Sequence, residues 1–249
     1  MVYNKRALYN TLMKTYILNT PIENITLKNA TKKLIGFLSK PKNHIVITPN
    51  PEIVIRAQKD KELLHIIKQA DLVVPDGIGL VLASYITGPK LPQRVAGIDL
   101  IHSFFCTAPK NTTVYLLGAK EGVAQKAKKN IEKKYKNIKV VGYHNGYFND
   151  DKPIVQEITA KKPNVLLVGL GAPRQEKWLY KNKNLPTKIS IGIGGAIDVM
   201  AGTVKRAPKP FIALNLEWLY RLITDPKRIL RMGALPLFVV KVVFNTVSS

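Results

Sequence analysis

The strongest constraint on this chain is an alternation. Between about residue 15 and residue 200, short, nearly continuous apolar runs take turns with longer stretches of helical period. Residues 45–48, 72–74, 113–117, 138–142, 164–170 and 189–193 are runs of the kind buried on both faces of a parallel sheet, where no side chain has to meet water. Helical patterning fits 52–69, 79–86, 97–106, 121–135, 152–161 and 175–182. Ahead of the first run, Thr26 stands where it can cap a helix that buries Ala30, Leu34, Phe37 and Leu38 on one face. Repeated strand–helix alternation implies crossover connections, so the predicted fold is α/β: a Rossmann-like parallel sheet flanked by helices. Ligands of such sheets sit beyond the carboxyl ends of the strands. The pattern changes at about residue 204, which divides the chain into a core over 1–203 and a basic, then apolar, helical appendage over 204–249.

Composition narrows the classes. Side chains that are 46% hydrophobic exclude a disordered chain, and the single cysteine, Cys106, excludes a disulfide scaffold. The N-terminal segment lacks the apolar run of a signal peptide, and no stretch approaches the roughly 18 apolar residues of a spanning helix, so a cytoplasmic location is expected. Charge is the unusual quantity. Thirty-nine Lys and Arg oppose 16 Asp and Glu, a net +23 that favours polyanions: nucleic acid, an anionic membrane or phosphorylated substrates. Much of the excess is lysine, as in the run over 120–139, which reads as a solvated helix face.

Candidate chemistry collects at the predicted strand ends. The first run leads into ITPNPE, which puts Thr48 and Asn50 on a loop that opens the next helix. The second leads into PDGIG, which puts Asp76 in the equivalent place. A carboxylate there can act as a base that flanking glycines leave open to substrate, or it can cap the helix beginning near Gly79; the coincidence of two such loops favours a site. Arg94, before GID, suits a phosphate or carboxylate, or a surface ion pair. Gln175 in GAPRQEKW and Asp198 in GGAIDVMAG follow later runs, and their glycines could admit backbone N–H groups to a phosphate. His102 and Cys106, four apart on a helix, read as core packing rather than zinc ligands. No dinucleotide fingerprint, phosphate-binding loop or nucleophile elbow occurs, nor an Asp-x-Asp pair to hold a metal on a diphosphate. No metal site and no cofactor are expected, and a diphosphate would have to be met by the chain's own cations.

The appendage supplies such cations. Arg206, Arg221, Arg228 and Arg231 lie among Trp218 and Tyr220, ahead of an apolar segment over 234–247 that carries only Lys241. Arginine forks bind phosphate, and a basic segment ending in an apolar one binds anionic membranes. The apolar segment reads as a helix either docked on the core or lying in a membrane interface.

Taken together, ITPNPE, ADLVVPDGIG, RVAGID, GAPRQEKW, GGAIDVMAG and KRAPKP with LEWLYRL and DPKRILR resemble, in order, the WecG/TagA/CpsF glycosyltransferases. The resemblance implies an inverting, metal-independent enzyme that extends an undecaprenyl-diphosphate-linked sugar at the cytoplasmic face of the plasma membrane. In the TagA-like branch, N-acetylmannosamine passes from UDP to the N-acetylglucosamine of the lipid carrier, the linkage-unit step of teichoic acid synthesis. The alternative within the family is the corresponding uronate, or another UDP-hexose. The resemblance further implies that Asp76 is the catalytic base and that Thr48 and Arg94 belong to the active site. It places Gln175 against substrate, Asp198 on the nucleotide, Tyr147 in the uridine pocket, and the appendage arginines over the diphosphate. Outside the family, the charge leaves a non-enzymatic nucleic-acid or membrane-surface protein as the rival, although no nucleic-acid-reading module is present.

Overall fold

The computed structural model describes residues 14–225 and 233–247. It begins with a hairpin that the apolar pattern did not announce: β1 (Lys14–Ile17) and β2 (Thr20–Glu23) pair antiparallel around Leu18-Asn19. Both turn residues have positive φ, 46° and 60°, the geometry that matches a two-residue loop to the strand twist. Thr26 then caps α1 (Leu27–Leu38) by accepting the Asn29 N–H at 3.2 Å, and the helix buries Ala30, Leu34 and Phe37.

The remaining strands are β3 (His44–Ile47), β4 (Leu72–Val73), β5 (Thr112–Gly118), β6 (Ile138–His144), β7 (Val165–Gly169) and β8 (Ile189–Gly192). They fall on the predicted runs and form one six-stranded sheet in the order β4-β3-β8-β7-β5-β6, every pair parallel. The helices between and after them are α2 (Pro51–Ala57), α3 (Lys61–Gln69), α4 (Ile78–Thr87), α5 (Gly97–Thr107), α6 (Val123–Lys134), α7 (Lys152–Lys161), α8 (Arg174–Lys181) and α9 (Ala196–Met200). Beyond these come α10 (Lys209–Ala213), α11 (Glu217–Thr224) and α12 (Ala234–Val247). One predicted helix, 52–69, is two. Asp60 takes an extended backbone with ψ 94° and caps α3 by accepting the Leu63 N–H at 3.0 Å, which starts a new helix instead of extending α2.

Side chains alternate across the sheet and build a core on each face. Ile45, Ile47, Tyr115, Leu117, Leu166 and Val168 pack with α2, α3, α4, α7 and α8, and Phe238 and Val242 of α12 join them. Val46, Val114, Leu116, Val165, Leu167 and Ile191 point the other way, onto α1, α5, α6 and α9. Each such fully buried side chain is worth about 1.5–3 kcal/mol relative to exposure, so the runs are committed to the sheet interior from both sides.

The apolar segment over 234–247 is docked and open at once. Phe238 and Val242 are buried against α2 and α4, while Val239, Val240, Val243 and Phe244 face outward. Among the described residues, no helix is long and apolar enough to cross a membrane. His102 and Cys106 correct their reading as core: both are exposed on α5, where His102 Nδ1 lies 3.5 Å from the Cys106 sulfur and 2.7 Å from the Tyr135 hydroxyl. Their i,i+4 spacing puts both on the outer face of α5, whose inner face is Leu100, Ile101, Phe104 and Phe105.

Candidate active site

A cleft of about 600 Å³ opens beyond the carboxyl ends of β3, β4 and β8, between the sheet and the 214–221 segment. A larger hollow, about 740 Å³, lies at the opposite, amino ends and is lined by Lys42, Asp71, Lys183 and Lys188. None of the candidate site residues lines it, whereas Asn50, Asp76, Arg94 and Arg221 line the first cleft.

Asp76 stands on the floor of that cleft because the backbone on either side of it is pinned. Val74 donates to Ile47 O, Asp76 to Pro49 O and Val95 to Pro75 O, at 3.0, 2.9 and 2.8 Å, which lays the post-β4 loop between the post-β3 loop and the approach to α5. The side chain does not cap α4, whose cap residue is Gly77. It reaches instead to the first turn of α5, where Oδ2 accepts the Gly97 N–H at 3.1 Å, while Oδ1 lies 3.6 Å from Arg94 Nη2. It keeps 30% exposure toward the cleft. Burial nevertheless pushes its carboxyl above the ordinary aspartate value, against the pull of Arg94, the Gly97 N–H and Arg221; Glu217 adds to the rise.

The PDGIG glycines have a packing role besides the one expected. A Cβ on Gly77 would lie 2.9 Å from Pro51 Cδ, and one on Gly79 2.8 Å from Pro51 Cγ. They admit the first turn of α2, and both also line the cleft. Gly97 is the residue that makes room in the site itself: a Cβ there would stand 3.3 Å from Thr48 Oγ1 and 3.6 Å from Asp76 Oδ2. Likewise Gly169 lets the Gly194 carbonyl approach, since a Cβ would meet that oxygen at 2.5 Å, and Gly192 accommodates the Gln175 side chain.

Thr48 is buried, and its hydroxyl donates to Gly192 O at 3.1 Å, tying β3 to β8 directly beneath the cleft. Asn50 lines the cleft while its Oδ1 caps α2 through the Ile53 N–H at 3.0 Å. Arg94, also on the cleft wall, donates to Glu217 Oε2 at 2.8 Å. Burial alone would lower its pKa, but Asp76, Glu217 and Asp99 outweigh that and hold the guanidinium charged. Arg221 joins from α11 and donates to the other oxygen of Glu217. Glu217 is thus a carboxylate only 2% exposed and gripped by two arginines, which overcome its desolvation and hold its pKa below the ordinary value. Nothing in the local sequence around Glu217 marks it as part of a site. The one available signal is its i,i+4 spacing to Arg221, the only other charged residue of α11.

Other candidates lie around the cleft rather than in it. Gln175 is buried under the β8 loop, accepting the Gly194 N–H at 3.0 Å and donating to Glu176 Oε1 at 2.8 Å. Asp198 sits in the first turn of α9, where its backbone carbonyl accepts from Thr203. Arg206 pairs with Asp99 of α5 at 2.6 Å and fastens the start of the post-core segment there. Tyr147 is not brought to the cleft: it follows β6 at the sheet edge and is 72% exposed, on a loop held by Arg174 through Gly146 O at 3.0 Å. Arg228 and Arg231 lie outside the described residues. Among the described residues no cluster of His, Cys, Asp or Glu could hold a metal ion.

A carboxylate of raised pKa facing a cleft at the carboxyl rim of a parallel sheet, with guanidiniums from two directions, is an arrangement able to serve group transfer with an anionic leaving group. The sequence profile of the Glycosyl transferase WecG/TagA/CpsF family matches residues 15–249, and the chain belongs to that family. It is 39% identical over 200 residues to the N-acetylglucosaminyldiphosphoundecaprenol N-acetyl-beta-D-mannosaminyltransferase of Bacillus subtilis (strain 168), covering 80% of this chain and 78% of that one. It is 36% identical over 234 residues, 92% of each chain, to the protein of the same name from Staphylococcus aureus (strain MRSA252).

Proposed function

We propose that the chain transfers N-acetylmannosamine from a UDP donor to the N-acetylglucosamine of a diphospho-undecaprenol carrier, with inversion at the anomeric carbon. The observation that carries this reading is Asp76: a shielded carboxylate, basic for its kind, open to the cleft and fixed by the α5 N-terminus. The acceptor hydroxyl oxygen attacks the anomeric carbon on the face away from UDP. Asp76 takes the hydroxyl proton as the new C–O bond forms, and the electron pair of the breaking bond leaves on the β-phosphate oxygen. In this reading Arg94 and Arg221 meet that growing negative charge, with Arg228 and Arg231 expected to complete the set. Thr48 and Gly97 hold the floor; Asn50 lines the wall. Gln175 and Asp198 shape the β8 loop and α9, on the side where the nucleotide would lie.

The lipid carrier accounts for the surface around the mouth. Leu82 and Leu235 both line the cleft, and from it α4 exposes Leu82, Tyr85 and Ile86 while α12 exposes Val239, Val240, Val243 and Phe244. So much uncovered apolar surface beside a site, on a chain of net charge +23, suits peripheral contact with an anionic membrane. In this reading residues 204–249 are a membrane-associating appendage, and the enzyme works on the cytoplasmic face. The test is a panel of UDP-sugars offered with an N-acetylglucosamine-diphosphate lipid analogue, products identified by mass. Transfer of N-acetylmannosamine in preference to its uronate and to other hexoses is expected. Preferred transfer of another sugar overturns the donor assignment, and no transfer from any donor overturns the reading itself.

A further inference from the structure

Glu217 poses a question that the transfer reaction leaves open. A buried carboxylate in a site that must accept a diphosphate is a liability unless it does something there. Its geometry says what. Oε2 accepts from Arg94 Nη2 at 2.8 Å and Oε1 accepts from Arg221 Nη2, so each oxygen holds one guanidinium. The same Nη2 of Arg94 faces Asp76 Oδ1 at 3.6 Å, beyond hydrogen-bonding distance. Arg94 therefore lies between two carboxylates and is hydrogen-bonded to the one that does no chemistry.

We infer that Glu217 is a positioning residue: by holding Arg94 with one oxygen and Arg221 with the other, it keeps Arg94 from closing onto Asp76 and leaves Asp76 able to accept a proton. The inference rests on the reading of Asp76 as the base. An Asp–Arg pair drawn into direct contact is a poor base, because the guanidinium stabilises the ionised form and lowers its proton affinity. A site that needs a cation beside its carboxylate for the leaving group must hold the two apart. Glu217 does this from α11, a helix beyond the strand–helix core, so the core's base is correctly set only when α11 is seated. The groups that face Asp76 are Arg94, the Gly97 N–H, Arg221 and Glu217; those that face Glu217 are Arg94 and Arg221. Removing the Glu217 charge acts on Asp76 in one direction by both routes. It takes away a negative neighbour, and it frees Arg94 to approach.

The experiment is a carboxyl-carbon NMR titration of Asp76 in the full-length wild-type chain and in Glu217→Gln, with Glu217→Asp as the conservative control. In Glu217→Gln the Asp76 titration should move to lower pH by about one unit, the size expected for an opposite charge coming into contact. In parallel, kcat should fall about tenfold or more, with a smaller change in KM for the UDP-sugar, as for a group that acts on the transition state rather than on binding. Glu217→Asp keeps the charge and should keep the Asp76 titration near its wild-type position. An unmoved titration in a folded Glu217→Gln chain, judged by an unchanged melting curve, overturns the inference. If Glu217→Gln melts below wild type, its titration is taken below its own melting transition, where the chain is folded, and an Asp76 midpoint equal to that of wild type under the same conditions overturns it as well. The NMR readout does not need turnover, so a failure of the transferase reading shows separately, as a wild-type chain that transfers nothing while Asp76 still responds to position 217.

Discussion

Replacing Asp76 by asparagine removes one charge and keeps the side-chain shape, and the structure sets the direction of two separate effects. The amide oxygen can still accept the Gly97 N–H, so the floor of the cleft keeps its geometry. Loss of a general base lowers the rate about 10²–10⁴-fold, which is roughly 3–5 kcal/mol on the barrier at about 1.4 kcal/mol per tenfold. Stability should move the other way. Burial raises the folded-state pKa of Asp76 above its unfolded value, so the native chain prefers the neutral acid. That preference stabilises the fold below the unfolded pKa of about 3.9 and is lost as pH rises through the folded one. At neutral pH the wild-type chain carries a poorly solvated carboxylate that Asp76→Asn lacks. The variant should therefore melt at or above the wild-type temperature at pH 7, with the difference closing as the pH falls toward 4. Turnover by product mass and melting curves across that range test both halves. Wild-type turnover in the variant refutes the base; a much lower melting temperature at pH 7 refutes the electrostatic argument, because the charge would then be a net tie to Gly97 and Arg94.

Three further outcomes follow from contacts away from the floor. Asp71 accepts the Ile45 N–H at 3.0 Å; burial would push its pKa up, but Lys42, that N–H and His44 outweigh it and hold it low. Asp71→Ala leaves the β3 amide without its acceptor and should cost about 1–3 kcal/mol, read as a lower denaturation midpoint, and the wild-type contribution should fade as acid protonates Asp71. Glu176 is buried with Oε2 unpartnered among the described residues, and its pKa is raised by burial. Glu176→Gln should raise the melting temperature by about 2–4 °C per kcal/mol relieved, most at high pH, where the wild-type carboxylate is charged. On α12, Val240→Ser with Phe244→Ser removes exposed apolar surface and should weaken binding to anionic vesicles by about tenfold or more per residue, measured by sedimentation, with the melting temperature unchanged.

The sheet was legible because its strands are apolar on both sides, a pattern that few other structures share, and because the helices between them keep one buried face. The β1–β2 hairpin was not, since its turn is Leu18-Asn19 rather than a glycine-bearing pair, and the positive φ values are imposed by the strands and not advertised by the residues. The break between α2 and α3 carried a readable signal in Asp60, overridden by hydrophobic periodicity that runs through it. That Asp76 and Asn50 line the cleft was legible because strand-end loops in a parallel sheet have few places to point, and Arg94 reaches the same cleft from the loop between α4 and α5. Tyr147 also follows a strand, but β6 is the sheet edge, far in strand order from β3 and β4, and adjacency of that kind is not written in local pattern. Glu217 went unnoticed because its meaning depends on Arg94, 123 positions away in the chain. Three of the glycines read as openings for a ligand also make room for the chain itself: Gly77 and Gly79 for Pro51, and Gly169 for the Gly194 carbonyl.

That last point divides the rim of the sheet into two kinds of wall. Where β5, β7 and β8 end, Gly118, Gly169 and Gly194 bring main chain onto main chain, and even a methyl group at the first two would lie 2.4–2.5 Å from a carbonyl oxygen. Where β3 and β4 end, the boundary is made of exchangeable groups such as Leu82, Ile98 and Trp218. Drift in sequence can re-contour the second boundary one substitution at a time, whereas the first admits no increments. New substrate preferences in chains of this architecture should therefore accumulate on the side-chain boundary, with the glycine corner inherited whole.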